Sequence, residues 1–208
     1  LFLEDMEAHD TKERIISYLL DKFLTEPTRL DTVDEWARDL GMSKKTIYKH
    51  FPAKEHLLSE LFSTMLEKQR LMLTTILEGE NSSLHKLLLF INHFKMVLER
   101  IPGGVILQIE KHHREVYSIW ETYKQEFIDQ IFVQMIEGGK KDGHIIADLS
   151  PLFLSRFWEN NVRNLILQLP YASVMSTRSA FDEIKKIFLR GISTAEGIAE
   201  LERIGAIK

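Results

Sequence analysis

The sequence contains no cysteine, and that single absence removes disulfide scaffolds, cysteine nucleophiles, thiolate zinc sites and cysteine-held iron–sulfur clusters. Chain breakers are scarce too. Ten glycines and five prolines in 208 residues come to about 7%, where average usage is roughly 12%. So few breakers leave little room for the turns of a β-sandwich or barrel, and the expectation is an all-α chain. The longest uninterrupted apolar run is Leu87 to Ile91, far below the ~18–20 residues needed to span a bilayer. The opening LFLEDMEAHD is acidic and has no basic stretch ahead of a long apolar one. It does not read as a secretory signal, and a cytoplasmic protein is expected.

Enzyme signatures are missing as well. There is no HExxH, P-loop, GxGxxG or GxSxG pattern. Glu110 and His113 form one Glu-x-x-His, the spacing of helical di-iron sites, but such a site needs a second copy and two further glutamates. His112 and His113 are neighbours, about 100° apart on a helix and unsuited to sharing one ion. No catalytic residue, metal or cofactor is expected, and the chain is not expected to be an enzyme.

What is present is a globular composition, 44% hydrophobic and 28% charged, which argues for a real core. At 208 residues the chain exceeds the usual domain of about 100–150 residues and falls short of two. The net charge is −4. Residues 43–54, SKKTIYKHFPAK, nevertheless carry Lys44, Lys45, Lys49 and Lys54 without one acid, leaving −8 for the remainder. Segregation of this kind is the electrostatic footprint of a polyanion-binding face on an acidic body, although a solvated helix end also tolerates four lysines.

Apolar spacing supplies the helices. Asp10 with Glu13 reads as a capping-box start, followed by the paired stripe Ile15, Ile16, Leu19, Leu20, Phe23 and Leu24, with Pro27 beyond its end. Thr32 with Glu35 starts a second helix carrying Val33, Trp36, Ala37 and Leu40, and Gly41 stands where a left-handed residue is wanted. Ser43 caps a short third helix through His50, stopped by Pro52. Longer helices are expected over about 54–77, 84–101, 105–112, 115–137, 151–169 and 178–190. Gly138-Gly139 should end the fourth of these, residues 140–149 should form a loop, Ser150-Pro151 should open a helix, and Ser193 with Glu196 should cap a last short one. Short helices through about residue 55 and long ones after it mark the one candidate boundary.

The unit from Thr32 to His50 is helix, tight glycine turn, helix. In a helix-turn-helix the second helix enters the major groove. Trp36, Ala37, Leu40 and Ile47 would lock the pair, while Lys44, Lys45, Thr46, Lys49 and His50 would present donors. Lysine can reach phosphate or guanine O6/N7, hydroxyls at Ser43 and Thr46 can donate to phosphate, and the first-turn N–H groups favour an anion. An ordinary αα corner has the same spacing.

The string TVDEWARDLGMSKKTIYKHFPAKEHLL, Thr32 to Leu58, resembles the DNA-binding signature of the TetR/AcrR family of bacterial transcriptional regulators. The matches are Thr32, Ala37, Gly41, Ser43, Tyr48, His50, Phe51, Pro52, Lys54 and Leu57, and Tyr-x-His-Phe-x-x-Lys is the specific part. Trp36, Leu40 and Met42 depart from the usual isoleucine, alanine and valine but stay apolar, so repacking is expected. Lys45 replaces a residue that is often small, so no base preference is carried over. The resemblance implies that Tyr48 and Lys54 contact backbone phosphates, that Thr32 lies by a phosphate, and that Lys44, Lys45, Thr46 and Lys49 face the groove. His50 either touches DNA or buttresses the turn beside Phe51. Phe51 and Trp36 are read as core.

The same resemblance implies nine to ten helices, divided into a three-helix DNA-binding module at 1–53 and a helical effector-binding and dimerisation domain at 54–208. It further implies a homodimer and a ligand-responsive regulator, most often a repressor, on a roughly palindromic operator of double-stranded DNA. Phe153, Phe157, Ile184 and Phe188 are candidates for the dimer interface, or else intramolecular core. Phe90, Phe94, Trp120, Tyr123, Phe127, Trp158 and Asn161 are candidates for a pocket taking a small lipophilic or amphipathic effector, or else plain core. The alternative from another class is a helical ligand-binding or enzymatic bundle without DNA binding.

Overall fold

A computed structural model describes residues 2–25, 32–100, 103–166 and 175–207. In chain order its helices are α1 (Phe2–Thr25), α2 (Val33–Asp39), α3 (Lys44–His50), α4 (Lys54–Glu78), α5 (Ser83–Arg100), α6 (Gly103–His112), α7 (Arg114–Tyr123), α8 (Asp129–Lys141), α9 (Pro151–Ile166), α10 (Thr177–Ile192) and α11 (Ala195–Arg203). A π-wound turn, Lys124–Ile128, joins α7 to α8 without a break. With those counted as one rod there are ten helices among the described residues, and the chain is all-α as expected. The breaks expected at Pro27 and Pro170 lie outside the described residues.

The chain divides into two compact units, Leu1–Gln69 with Arg100–Thr122, and Arg70–Glu99 with Tyr123–Lys208. The first therefore gathers α6 and most of α7 with the N-terminal helices, a grouping that differs from the functional division expected at 53/54. Its core is the α1 stripe Ile15, Ile16, Leu19, Leu20 and Phe23 against Trp36, Leu40, Ile47, Phe51, Leu57, Leu58 and Phe62, all buried. Phe23 meets Phe62 edge-on with ring centroids at 5.6 Å.

The second unit has an aromatic core. Phe90 packs edge-on to Phe132 at 5.8 Å, Phe132 on Phe188 at 6.1 Å, Phe188 on Trp158 at 5.1 Å, and Trp158 edge-on to Phe181 at 5.7 Å. Beside it runs a charge network. Lys124 reaches Glu159 at 2.9 Å and Asp129 at 3.4 Å, and Arg156 bridges the same two acids at 2.7 and 3.1 Å. Partial burial pushes the Glu159 carboxyl upward, but hydrogen bonds from Lys124 and Arg156 outweigh it and hold it below its ordinary value.

Three expected boundaries are corrected. First, α1 begins at Phe2, well ahead of Asp10. Residues 2–9 contain no breaker, and acids at its start suit a helix N-terminus. Second, Gly138-Gly139 does not end a helix. α8 passes through both glycines to Lys141, and the left-handed residue is Gly143, φ 75°. The pair is needed for close approach. A Cβ on Gly138 would sit 2.3 Å from Ser83 Oγ, and one on Gly139 2.5 Å from Ile145 Cδ1. The expected loop over 140–149 is thereby shortened, and it holds an antiparallel bridge between Ile145 and Ser193. Third, α11 is capped by Thr194, whose Oγ1 accepts from Gly197 N at 3.1 Å. Ser193 is buried and donates to Leu189 O at 2.7 Å.

Gly197 packs directly on the bridge, since a Cβ there would lie 2.0 Å from His144 O and 2.9 Å from His144 C. Backbone cannot yield as a side-chain tip does. Gly197→Ala is expected to destabilise the protein by roughly 1–3 kcal/mol, seen as a lowered melting temperature by circular dichroism. An unchanged melt would contradict this packing.

Candidate nucleic-acid interface

The geometry at residues 32–54 is set by local chemistry first. Thr32 caps α2. Its Oγ1 accepts from Glu35 N at 3.3 Å, while Glu35 Oε2 accepts from the Thr32 backbone N–H at 2.7 Å and from the Thr32 hydroxyl at 2.9 Å. The capping box expected from sequence is complete. At the other end Met42 N–H donates to Ala37 O at 2.9 Å and Gly41 N–H to Arg38 O at 3.1 Å. That pair of bonds is the Schellman pattern, which needs a left-handed residue at C′. Gly41 supplies it with φ 65°, and nothing lies within 4 Å of where its Cβ would be, so the requirement is conformational. One residue later Ser43 caps α3, its Oγ accepting from Thr46 N at 3.0 Å.

α1 then fixes the end of α2, through contacts that sequence reasoning missed. Arg14 donates to Leu40 O at 3.0 Å, Tyr18 Oη donates to Asp39 Oδ2 at 3.0 Å, and Lys22 pairs with the same carboxylate. The Lys22 hydrogen bond, followed by that of Tyr18, holds the Asp39 carboxyl below its ordinary value. These partners are 17 to 26 residues apart, so no periodicity announces them.

α3 is anchored on one side only. Ile47 is buried on it and Phe51 just beyond it, whereas Ser43, Lys44, Lys45, Tyr48 and Lys49 are exposed and Thr46 and His50 half-buried. Lys45 and Lys49 have no acidic partner among the described residues. Lys44 does have one, since its Nζ lies 3.0 Å from Asp34 Oδ2, and that hydrogen bond raises the Lys44 pKa. Ser43 and Thr46 share a hydrogen bond at 2.8 Å, so one of the two hydroxyl protons is already used. His50 makes no hydrogen bond with the described residues, and the histidine ring beside Phe51 is that of His56, with centroids at 6.2 Å. Lys54 Nζ sits 5.2 Å above the Trp36 ring, which binds a cation through its negative face. Trp36 and Phe51 are core, as read.

The other candidates separate. Phe90 and Trp158 belong to the aromatic core of the second unit, with Phe94 stacked obliquely on Phe90 at 4.8 Å. Tyr123 and Phe127 form a second group, 5.4 Å apart, with the Arg70 guanidinium 5.3 and 4.4 Å from their centroids. Asn161 donates to Phe157 O at 2.8 Å along its own helix, and Trp120 falls in the first unit. Of the four residues expected at a dimer interface, Phe153 and Phe157 are 64% and 43% exposed, Ile184 is half-buried, and Phe188 is 3% exposed within the aromatic core. Phe188 is thus held by its own protomer. Leu152 and Ile187, at 60% and 67% exposed, were not singled out by sequence.

Residues 31–61 match the family described as bacterial regulatory proteins, tetR family. Over 149 residues the chain is 22% identical to the nucleoid occlusion factor SlmA of Shewanella loihica, covering 66% of this chain and 76% of that protein. Its fold is similar to that of a TetR-family transcriptional regulator from Agrobacterium tumefaciens, with a TM-score of 0.72 at 13% identity over 90% of this chain and 100% of that one. It is also similar to the transcriptional regulator FadR from Bacillus subtilis in complex with stearoyl-CoA, with a TM-score of 0.62 at 15% identity over 86% and 98% of the two chains. Among the described residues no helix is long and apolar enough to cross a membrane.

Two outcomes follow from the charges at this site. Asp34→Asn frees the Lys44 ammonium and is expected to tighten binding to duplex DNA, measured by fluorescence anisotropy at fixed salt. Unchanged or weakened binding would show that Lys44 has no part in the interface. Asp39→Asn is expected to lower the melting temperature at neutral pH. The folded carboxyl titrates below its unfolded value near about 4, so its contribution is complete above that pH and lost as pH falls through the lowered folded value. The melting temperatures of the two proteins should therefore converge in acid.

Proposed function

We propose that the chain is a DNA-binding transcriptional regulator of the tetR family, on the match over residues 31–61 and the shared fold, and that it acts as a ligand-responsive repressor, binding a palindromic operator as a homodimer. Residues 1–53 act as the reading module and 54–208 as the effector-binding and dimerisation domain. α3 enters the major groove with Lys44, Lys45, Thr46 and Lys49 toward the bases and phosphates. Tyr48 and Lys54 contact phosphates, Thr32 and Ser43 lie by the backbone, and His50 stands at the edge of the contact. The observation that carries this is the division of α3 itself, with one buried isoleucine behind and exposed lysines in front.

Dimerisation is supported by the α9–α10 surface. Leu152, Phe153, Phe157 and Ile187 are large, apolar and exposed on these two packed helices, and exposed apolar side chains so grouped are of the kind that an interaction surface carries. A two-fold pair of reading modules matches a two-fold operator. The effector is a small lipophilic or amphipathic molecule, a class to which the stearoyl-CoA of the FadR complex belongs. Phe90, Phe94, Tyr123, Phe127, Trp158 and Asn161, all of the second unit, are its candidate contacts. An effector can release the operator only by binding the non-reading state of the dimer more tightly than the reading state. A cytoplasmic location goes with this role.

Lys45→Ala combined with Lys49→Ala is expected to weaken operator binding by roughly tenfold or more at low salt and to flatten the dependence of log affinity on log salt by about two. The melting temperature should stay within about a degree, because both side chains are exposed and carry no core contact. Operator duplex for the measurement comes from selection out of a random pool. Wild-type slope and affinity in the double variant would remove α3 from the interface. Phe153→Glu with Ile187→Glu is expected to convert the dimer to monomer in sedimentation and to abolish high-affinity operator binding.

A further inference from the structure

The corner between α6 and α7 belongs to the same compact unit as the reading module and is bonded to it. His113 Nδ1 lies 2.6 Å from Glu55 Oε1. A carboxylate only accepts, so the ring nitrogen is the donor. Glu55 is in the first turn of α4, directly after Lys54 and inside the segment that matches the tetR family. His113 also continues the backbone ladder, donating to Ile109 O and accepting from Tyr117 N, each at 2.9 Å. The corner is therefore a rigid bend seated at the N-terminal end of α4. Its sequence, Lys111-His112-His113-Arg114, is the basic run that no part of the reading helix accounts for.

Lys111, His112 and Arg114 are exposed, and none has an ion pair with a described residue. Two acids flank them. Glu110 is half-buried and already has a partner. Glu115 is exposed in the first turn of α7, where a carboxylate favours the helix N-terminus. The acid that stands next to Lys54 in sequence, Glu55, is the one hydrogen-bonded by His113. The bond thus does two things at once. It engages one oxygen of the carboxylate next to Lys54 and brings two further cations to the same end of α4.

We infer that the α6–α7 corner is a second, sequence-independent part of the DNA interface, in which Lys111 and Arg114 contact the sugar–phosphate backbone beside the site held by Lys54. This rests on the reading of residues 31–61 as the DNA-binding module. The partner is duplex DNA because the surface adjoins that module and offers only cationic donors of long reach. Phosphate contacts fix position and carry no base information, so the corner adds affinity without specificity.

The test compares the full-length protein with Lys111→Ala/Arg114→Ala, using anisotropy over a salt series with a selected operator duplex and a random duplex of equal length. The double variant is expected to bind both duplexes several-fold more weakly by the same factor. Its salt slope should be shallower by roughly one to two, with the ratio of operator to random affinity preserved. Lys111→Gln/Arg114→Gln, which keeps most of the side-chain bulk, should behave alike, and both should melt as wild type. Lys141→Ala, an exposed lysine of the other compact unit, should leave the slope unchanged. An unaltered slope at 111 and 114, or an equal loss in Lys141→Ala, overturns the inference. A wild-type chain that fails to distinguish operator from random duplex overturns the underlying reading, and this inference with it.

Discussion

A helix of seven residues has no business forming alone. Nucleation is costly, and isolated helices shorter than about 12–15 residues are marginal in water. α3 exists because Ile47 is fully buried against α1 and α2, with Phe51 fully buried at its end, and because Ser43 caps its start. That constraint fixes everything on the other face. With one apolar residue committed inward, the neighbours at 44, 45, 48 and 49 must point outward, whatever they are. In this chain they are three lysines and a tyrosine. α1 bears on the same geometry from a distance, since Arg14 holds the carbonyl of the C-cap Leu40, and Tyr18 and Lys22 hold the last carboxylate of α2, Asp39. The exposed lysine face of α3 is accordingly a consequence of core packing rather than of charge.

The helix-turn-helix was legible because its signals are local. Thr32 with Glu35, Gly41, and Ser43 each act within five residues, and each makes the bond its position implies. Long-range packing was not legible. Gly138-Gly139 and Gly41 look alike in a sequence, yet one pair makes room for Ser83 and Ile145 while the other glycine supplies a positive φ. Nothing within a window of ten residues separates the two uses. The same holds at the end of the chain, where Ser193 and Thr194 are both good caps by type. The bridge to Ile145 buries Ser193 and leaves Thr194 to cap.

Aromatic residues show the limit from the other side. Periodicity places Phe153, Phe157, Ile184 and Phe188 on apolar stripes, but a stripe on a helix wider than one neighbour can cover has an inner and an outer edge. Phe188 lies on the inner edge, in ring contact with Phe132, Phe157 and Trp158. Phe157 bridges to the outer edge, stacking on Phe153 at 6.2 Å. Which edge a residue occupies depends on the angle at which α9 and α10 meet, a quantity with no local signature. Leu152 and Ile187 were overlooked for that reason. The candidate pocket residues divide likewise, because a ring in a core and a ring lining a cavity obey one spacing rule.

The Lys44–Asp34 pair sharpens what the lysine surface can do. Exposed ion pairs contribute little to stability and are screened by salt, so this one does not hold the module together. Its consequence is in binding. On the proposed reading, a phosphate that takes Lys44 displaces Asp34, and the freed carboxylate then faces the polyanion. The penalty is the same for every sequence, because it depends on the backbone charge alone. Base contacts, by contrast, reward only the matching sequence. A fixed penalty on all duplexes weakens operator and non-specific binding by the same factor and leaves the operator preference intact. On the proposed reading, the acid beside α3 therefore tunes how tightly the module holds any duplex, while the choice among sequences, which decides occupancy where non-specific sites vastly outnumber the operator, is left to base contacts.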